Sequence, residues 1–456
     1  MMRGMTRASG RTGSHLPFAL LLVLAVSLGV APRAGAVVFD PARVACRTMD
    51  NGLRVVVKEG HSAPIVAVDV YVHFGSGDED ETTNGVAHAI EHMIFQGRDE
   101  ARVGRLPRMI EGLGGRVLAS TTRDHTHFAV AVSSEYFEQA VTQLAMALGH
   151  PELEADTVQR ELAIIAHELR QMQEDPLFVL REQTFALSFV KHGYRLPVGG
   201  TEESIAALDR TVLERTHRAY YTAPNMTVVV VGDVDPELAF RVVGEAFSQF
   251  DPAPPPVRTP VDEPRRMTRK EAPPIEIPGA RTLMVLGFPS PGLAGQKQDV
   301  CAMDVLMTVL GDGAHSRFQR RVIEEKKAAE MVSAMYLTQR DPGVFYVWAA
   351  APTGGLEAAA NAILAEVADV RANGITPEEL ARAKAIVTGS YATQSETYVD
   401  QAATLGFYDS IDSYQFAVDY EGLVNAVTAE DVQRVALAYL DIDKYTLVSI
   451  VPAAQP

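Results

Sequence analysis

The segment His88-Ala89-Ile90-Glu91-His92 contains the residue types that bind and use a divalent metal. On a helix, residues four positions apart share a face with Cβ atoms about 5–6 Å apart, so the two histidines can offer imidazoles to one ion. Glu91 flanks that face, where it can accept a proton from a metal-activated water. The order is the inverse of the His-Glu-x-x-His zinc-protease motif. The pattern therefore predicts a metal-dependent hydrolytic site.

Two imidazoles do not complete a catalytic zinc site, so a third ligand must come from elsewhere in the chain. A predicted helix over 155–173 contains Glu161 and Glu168, which are seven positions apart and project from one side of it. We predict Glu168 as the third ligand, with Glu161 and His167 as alternatives. The segment 124–127, Asp-His-Thr-His, is interpreted as polar residues on a strand beside the site.

The competing interpretation is a chance motif whose histidines are merely packed or solvated. The flanking residues are apolar, and burying unpaired His and Glu side chains among them would be costly, which favours a metal site. These apolar neighbours are Val86, Ala87, Ile90, Met93, Ile94 and Phe95.

The elements that must position this cluster occur twice along the chain. Residues 218–228 resemble 437–447 at an offset of 219, and residues 87–92 align with 302–307 at an offset of 215. The two similar offsets predict an α+β fold with two homologous domains. The second copy has Met303, Leu306 and Met307 in place of the polar cluster, so only the first domain can hold the metal.

A proline-rich segment separates the two copies. It contains nine prolines between residues 251 and 279 and is predicted to be an extended linker. The predicted organisation is therefore an N-terminal catalytic domain over 37–250, the linker over 251–279, and a C-terminal domain without metal ligands over 280–456.

Length, composition and charge restrict the class of protein. With 456 residues, 47% of them hydrophobic, the chain is large enough for two or three domains and too apolar to be disordered throughout. The net charge of −17 argues against a nucleic-acid partner. Two cysteines exclude a disulfide framework; Cys46 and Cys301 are predicted as separate buried thiols, with a disulfide as the alternative.

Residues 1–36 have the pattern of a secretory signal peptide. Three arginines precede an apolar run over 16–31, and Ala34-Gly35-Ala36 supplies small residues for cleavage near Ala36. The run is too short for a spanning helix and is followed by Pro32, so a stable membrane anchor is not expected. The expected location is the periplasm or another exported compartment.

Several motifs together resemble the pitrilysin-type (M16) zinc metallopeptidases, in particular the short bacterial branch with two homologous domains per chain. The resemblance implies that each domain is a mostly antiparallel sheet packed with helices. It also implies one zinc ion held by His88, His92 and Glu168, with Glu91 as general base and Glu161 as a supporting carboxylate. The matching segments are 85–97, 121–128, 192–201 and 221–233, together with Glu161 and Glu168.

The run 115–128 resembles the edge strand on which this family docks extended peptides by β-augmentation. Leu118, Ala119 and Thr121 are therefore the candidate substrate-binding residues. Leu118-Ala119 stands where the family usually has Asn-Ala, so one polar contact to the substrate backbone is missing.

The family also places an Arg and a Tyr of the C-terminal half at the substrate. An ungapped alignment puts Ile323 and Glu330 at these positions, and Arg321 or Tyr336 are the alternatives after a local shift. We therefore expect a zinc endopeptidase that acts as the catalytic subunit of a heterodimer, in which a homologous subunit supplies the Arg/Tyr pair. A homodimer is the alternative assembly, and a non-catalytic peptide-binding or structural subunit is the alternative function.

Overall fold

Valine-rich strands build the first of two sheets. In the computed structural model, which describes residues 38–95, 105–264, 267–277 and 280–453, the sheet is six-stranded with the order β1-β2-β6-β3-β5-β4. β6 runs parallel to β2, and the remaining neighbours are antiparallel. The strands are β1 (Val44–Thr48), β2 (Arg54–Glu59), β3 (Ile65–Val72), β4 (Arg116–Thr121), β5 (Thr126–Ser133) and β6 (Met226–Gly232).

The second sheet repeats this arrangement. Its order is β10-β11-β9-β12-β7, with β8 also pairing with β12; β7 and β8 are parallel to β12, and the remaining pairs are antiparallel. Read from the opposite end, this order and its strand directions repeat β2-β6-β3-β5-β4 of the first sheet, which confirms the predicted α+β fold with a duplicated unit. The strands are β7 (Lys270–Glu271), β8 (Ile275–Ile277), β9 (Thr282–Pro289), β10 (Met331–Tyr336), β11 (Val344–Ala351) and β12 (Thr446–Pro452).

Helices cover both sheets. Those of the first half are α1 (Val86–Phe95), α2 (Arg105–Gly112), α3 (Phe137–Gly149), α4 (Ala155–Met172), α5 (Pro176–Ser188), α6 (Glu202–Ala207), α7 (Arg210–Tyr220) and α8 (Pro236–Ala246). Those of the second half are α9 (Lys297–Gly311), a π-helix (Phe318–Glu325), α10 (Leu356–Asn373), α11 (Pro377–Gln394), α12 (Tyr398–Ile411), α13 (Tyr414–Ala426) and α14 (Ala429–Tyr439).

The first sheet is buried on both faces. On one face, Val68, Val70 and Val130 pack with α1 residues such as Ile90 in the core of the first half. On the other face, Val229 and neighbouring residues belong to the core of the second half. A strand sandwiched in this way must be apolar at every position, as β6 is, with each of its seven residues buried.

Helix α12 of the second half makes polar as well as apolar contacts with the first sheet. The Asp409 carboxylate accepts hydrogen bonds from Arg54 Nη2 at 2.6 Å and from Thr227 Oγ1 at 2.7 Å. The Tyr71 hydroxyl donates to the Ala403 carbonyl at 3.0 Å. These contacts satisfy polar groups that the sheet would otherwise bury without partners.

The described part of the predicted linker has two distinct conformations. Residues 251–264 form no helix or strand, whereas 270–271 and 275–277 add β7 and β8 to the second sheet. The predicted export signal over 1–36 lies outside the described residues. Cys46 and Cys301 are free thiols. None of the described helices is both long enough and apolar enough to span a membrane.

We expect Asp409→Asn to lower the free energy of unfolding by about 2–4 kcal/mol at pH 7, because Arg54 and Thr227 lose a buried charged acceptor. Burial raises the pKa of Asp409, but the hydrogen bonds from these two residues outweigh it and lower the pKa. The stabilisation is therefore present above about pH 4 and declines as the pH falls.

Denaturant titrations at pH 7 and pH 3 measure this difference. Asp419→Asn, which changes an exposed aspartate on the neighbouring helix α13, is the control and should change the stability by less than about 0.5 kcal/mol. Equal effects of the two substitutions would contradict the prediction.

Candidate metal centre

Helix α1 is held by the core on every side but one. Val86, Ala87, Ala89, Ile90, Met93 and Ile94 are each at most 2% exposed. Among the residues of this helix whose burial is described, the half-buried ones are His88, Glu91 and His92. His88 and His92 face Glu168 on α4, whereas Glu91 faces Thr121 on β4. Because the apolar residues fix the rotation of the helix, the polar face has a single orientation.

His88, His92 and Glu168 meet between α1 and α4. Each offers one ligand atom, and these atoms lie within 4.8 Å of one another. The His92 Nε2 atom is 3.5 Å from Glu168 Oε2, and the rings of His88 and His92 are 4.8 Å apart between centroids. Two imidazoles and one carboxylate are the ligand set of many catalytic zinc sites.

The hydrogen-bonding state of these residues fits a metal site. His88 Nδ1 and Glu168 Oε2 are buried atoms without a hydrogen-bond partner among the described residues. Buried polar atoms are rarely left unpaired, so such a pair of atoms indicates a ligand. Burial and the neighbouring His92 lower the pKa of His88 to about 4, which keeps the imidazole in the neutral form that a metal requires.

The two alternative ligands lie elsewhere. Glu161 is 5% exposed in its side chain, and its Oε2 atom lies 3.6 Å from His92 Nδ1, the ring nitrogen that does not face Glu168. A carboxylate at this nitrogen orients the imidazole from behind. His167 is exposed and does not belong to the ligand group.

Glu91 contacts the edge strand rather than the ligand group. Its Oε2 atom accepts a hydrogen bond of 2.6 Å from Thr121 Oγ1, at the end of β4. Burial raises the pKa of Glu91, and the hydrogen bond from Thr121 offsets only part of this effect. A half-buried carboxylate with a raised pKa beside a candidate metal site is suited to accepting and releasing a proton.

The other two candidate substrate residues lie on opposite faces of β4. Ala119 is half-buried against the first core, whereas Leu118 is 61% exposed. β4 pairs with β5 on one side and has no strand on its other side among the described residues. Thr121 thus contacts Glu91, and the edge of β4 lies beside the metal centre.

Of the two histidines in the segment 124–127, His125 contacts the second half and His127 contacts the first sheet. His125 Nδ1 lies 3.0 Å from Ser410 Oγ, and His127 Nδ1 lies 3.2 Å from Asp69 Oδ1. Both rings pack against Tyr71. Neither histidine belongs to the ligand group.

Comparison with known proteins decides the family. Residues 54–202 match the family described as Insulinase (Peptidase family M16), and residues 207–387 match the one described as Peptidase M16 inactive domain. A protein named uncharacterized zinc protease from Mycobacterium leprae is 30% identical over 355 residues, which are 75% of this chain and 77% of that relative. This chain belongs to peptidase family M16.

Other M16 proteins extend the similarity over most of the chain. The probable mitochondrial-processing peptidase subunit beta of Arabidopsis thaliana is 28% identical over 422 residues, covering 90% of this chain and 78% of that relative. The crystal structure of a protease from Helicobacter pylori has a TM-score of 0.83 and 25% identity, covering 90% of this chain and 99% of that one. The resemblance to a two-domain M16 peptidase is therefore confirmed.

One important residue beside the candidate metal centre was not predicted from the sequence. The Glu79 carboxylate accepts hydrogen bonds from the Gly85 and Ala87 amides at 2.7 and 2.8 Å, and from Asn84 Nδ2 at 2.9 Å. It thereby caps the N-terminus of α1, one residue before His88. A capping residue usually lies directly before its helix, so the position of Glu79, well before the start of α1, did not indicate a cap in the sequence.

A close approach of two loops explains a glycine of the M16 motif. Gly85 has a φ of 93° and packs against Gly199 and Gly200, where an added Cβ would lie 2.9 Å from the Gly199 carbonyl oxygen. Any side chain at Gly85 would displace the start of α1 from Glu79.

The two candidates for the family's Arg/Tyr pair are engaged within the second half. Arg321 Nη1 lies 2.8 Å from Glu366 Oε2 and 2.7 Å from Asp369 Oδ2, both on α10. Tyr336 is 6% exposed, and its hydroxyl donates to the Pro291 carbonyl at 2.9 Å.

We expect Glu79→Ala to lower the free energy of unfolding by about 1–3 kcal/mol, because it leaves two amides of α1 without acceptors. Glu79→Gln retains one acceptor oxygen and should cost less. Burial raises the pKa of Glu79 to about 7 in spite of its three hydrogen bonds. The folded protein therefore binds the extra proton, and this contribution to stability is lost as the pH rises from about 4.5 to 7.

Urea titrations across this pH range test whether the stability contributed by Glu79 falls or rises with pH. The stability of the wild type minus that of Glu79→Gln should decrease from pH 5 to pH 7.5. Glu81→Gln, at an exposed neighbouring glutamate, is the control and should follow the wild type over the same range. An increase of this stability difference with pH would contradict the prediction.

Proposed function

We propose that this chain is a zinc-dependent endopeptidase that cleaves peptides or unfolded polypeptides in an exported compartment. The observation that carries the proposal is the group of His88, His92 and Glu168 with the half-buried Glu91 beside it. In such a site, Lewis acidity toward water and toward the scissile carbonyl is the chemistry that zinc supplies. Names of relatives such as zinc protease agree with this chemistry.

Each residue of the site has a distinct proposed action. Glu91 accepts a proton from the attacking water and delivers it to the leaving amine. Thr121 holds the Glu91 carboxylate through its 2.6 Å hydrogen bond and so fixes the direction of proton transfer. Glu161 holds the His92 ring from the side opposite Glu168.

The edge of β4 is the proposed docking site for the substrate. An extended peptide that pairs with β4 would form main-chain hydrogen bonds and pass beside Thr121, and therefore beside Glu91. Leu118 provides an exposed apolar surface on this strand in place of a polar side chain. Binding through the backbone favours unfolded substrates of varied sequence.

We expect Glu91→Gln to retain about one zinc per chain while kcat falls by about 10²–10⁴-fold, because the proton acceptor is lost and the ligands are kept. Elemental analysis and turnover of a quenched fluorescent peptide library measure the two properties. Glu111→Gln, at an exposed glutamate of α2, is the control and should match the wild type in both. A wild-type rate in Glu91→Gln would refute the assignment, and absence of zinc from the wild type would favour a non-catalytic subunit.

We further propose that the chain is the catalytic subunit of a heterodimer. Arg321 is bound by two carboxylates of α10, and the Tyr336 hydroxyl is bound by a buried carbonyl. Releasing Arg321 would break two ion pairs, and releasing Tyr336 would remove the hydroxyl donor of the Pro291 carbonyl, which opposes the use of either side chain at the substrate. A homologous subunit with its own Arg and Tyr would supply both groups without this cost. One relative is named as subunit beta of a processing peptidase, which is consistent with such an assembly.

Peptide turnover by this chain alone should be about 10²–10³-fold slower than turnover by the chain with a related subunit that has the Arg/Tyr pair. The factor is that expected when a group that stabilises the transition state is missing. Replacing the Arg of that subunit by Ala should abolish the activation while leaving assembly, measured by sedimentation, intact. Full activity of the isolated chain, as a monomer or homodimer, would refute the heterodimer.

A further inference from the structure

Two loops converge at the start of the metal helix α1. Loop 75–79 ends at Glu79, which caps α1, and loop 122–125 follows Thr121, which contacts Glu91. The Ser76 and Gly77 amides donate to the carbonyls of Thr122 and Arg123 at 3.0 and 2.8 Å. The two loops are therefore joined through their backbones, and both contact functional positions of α1.

Arg340 of the second half closes this pair of loops. Its Nη2 atom lies 3.3 Å from Asp78 Oδ1 and 3.8 Å from Asp124 Oδ1, and its backbone amide donates to Asp124 Oδ2 at 3.2 Å. The side chains of Arg340, Asp78 and Asp124 are 12%, 6% and 5% exposed. Ion pairs this deeply buried are little screened, and removing one member leaves the others uncompensated.

The linker reaches the same carboxylate. Arg258 Nε lies 2.7 Å from Asp78 Oδ1, and its Nη2 atom donates to Asp78 Oδ2 at 3.0 Å. Asp78 directly precedes Glu79, so the linker and the second half both bind the chain one residue before the cap of α1. The side chain of Arg258 is 39% exposed, which makes Arg340 the more deeply buried of the two contacts.

A second contact between the halves is not connected to the loops at the start of α1. Arg54 on β2 binds Asp409 on α12 at 2.6 Å, and neither side chain contacts loop 75–79 or loop 122–125 among the described hydrogen bonds and ion pairs. Among the described residues, Arg54 and Arg340 thus both bind aspartate across the halves, and the contact of Arg340 is the one that reaches the metal helix. The side chain of Arg54 is 37% exposed and that of Arg340 is 12% exposed, so Arg54 serves as the comparison for a contact between the halves that does not reach α1.

We propose that Arg340 is a positioning residue of the metal centre, which holds α1 and Glu91 in place through Asp78 and Asp124. Glu79 connects loop 75–79 to the N-terminus of α1, and Thr121 connects loop 122–125 to Glu91. Since Arg340 belongs to the second half, a shift of that half would change the geometry at His88 and Glu91. The kinetic part of the proposal rests on the proposed peptidase function, whereas the structural part does not.

Hydrogen exchange of the metal-free full chain tests the structural part. In Arg340→Met, the amides of α1 should exchange at least about ten-fold faster than in the wild type, relative to those of α8 in the same molecule. Arg54→Met is the control: it should lower the melting temperature without changing the ratio of α1 to α8 exchange. An unchanged ratio in a folded Arg340→Met would overturn the proposal and leave Arg340 a purely structural contact.

Zinc affinity and kinetics test the consequence for the site. Competition with a chromophoric chelator should show about 10-fold weaker zinc binding in Arg340→Met than in Arg54→Met, and kcat should fall with KM unchanged. Arg340→Lys keeps the charge and should recover part of both properties; it also serves if Arg340→Met does not fold. Equal zinc affinities of the two methionine variants would overturn the proposal. A wild type that neither binds zinc nor cleaves peptides would refute the peptidase while leaving the exchange result interpretable.

Discussion

Helix α1 must meet two requirements within one short segment: it must pack into the core, and it must present polar side chains to its neighbours. Six of its side chains are at most 2% exposed, and the remaining face presents His88 and His92 to α4 and Glu91 to β4. Burying two imidazoles and a carboxylate would be costly without compensation, and the core offers them few hydrogen-bond partners. The compensation comes from outside the helix: Glu168 and Glu161 approach from α4, and Thr121 approaches from β4. The site is therefore assembled where three elements meet, and its geometry depends on how each is fixed.

The N-terminus of α1 likewise depends on a group from another element. A helix that begins inside a core exposes unpaired amides to an apolar environment, and these amides need an acceptor that is itself buried. Glu79 provides it from a loop, and this loop is bound in turn by Asp78 to Arg258 and Arg340. A carboxylate can satisfy two amides at once, which a Ser or Thr cap cannot do. Through the adjacent residues Asp78 and Glu79, polar contacts thus connect the N-terminus of α1 to the linker and the second half.

Local features could be predicted from the sequence because they depend on local spacing. Helix α1 forms over 86–95 as expected, α4 over 155–172 ends one residue before the predicted end, and β6 forms over 226–232. The ligand set was also accessible, since i, i+4 histidines and carboxylates seven positions apart define faces without knowledge of the fold. The alternating run 116–132 concealed the turn over 122–125 between β4 and β5, because period-two alternation continues across a short hairpin.

Contacts between distant segments could not be predicted in this way. Nothing in the sequence around Glu79 distinguishes it from the adjacent Asp78, Asp80 and Glu81, yet the fold buries the first two and leaves the others at the surface. The side-chain partners of Asp409 lie in strands more than 180 positions away. Such pairs are set by the packing of α12 against the first sheet, which is a property of the duplicated architecture and not of any local pattern.

The two copies of the domain differ in how they avoid the free-energy cost of burying polar side chains in this helix. In α9, which occupies the corresponding place in the second half, Met303 and Leu306 are fully buried where α1 has His88 and Glu91. A helix filled with apolar side chains needs no carboxylates from its neighbours, so the second half can devote its polar groups to other contacts. Asp409 and Arg340 are used in this way, and both bind the first half. The copy that lacks the ligands therefore contributes polar contacts to the copy that has them.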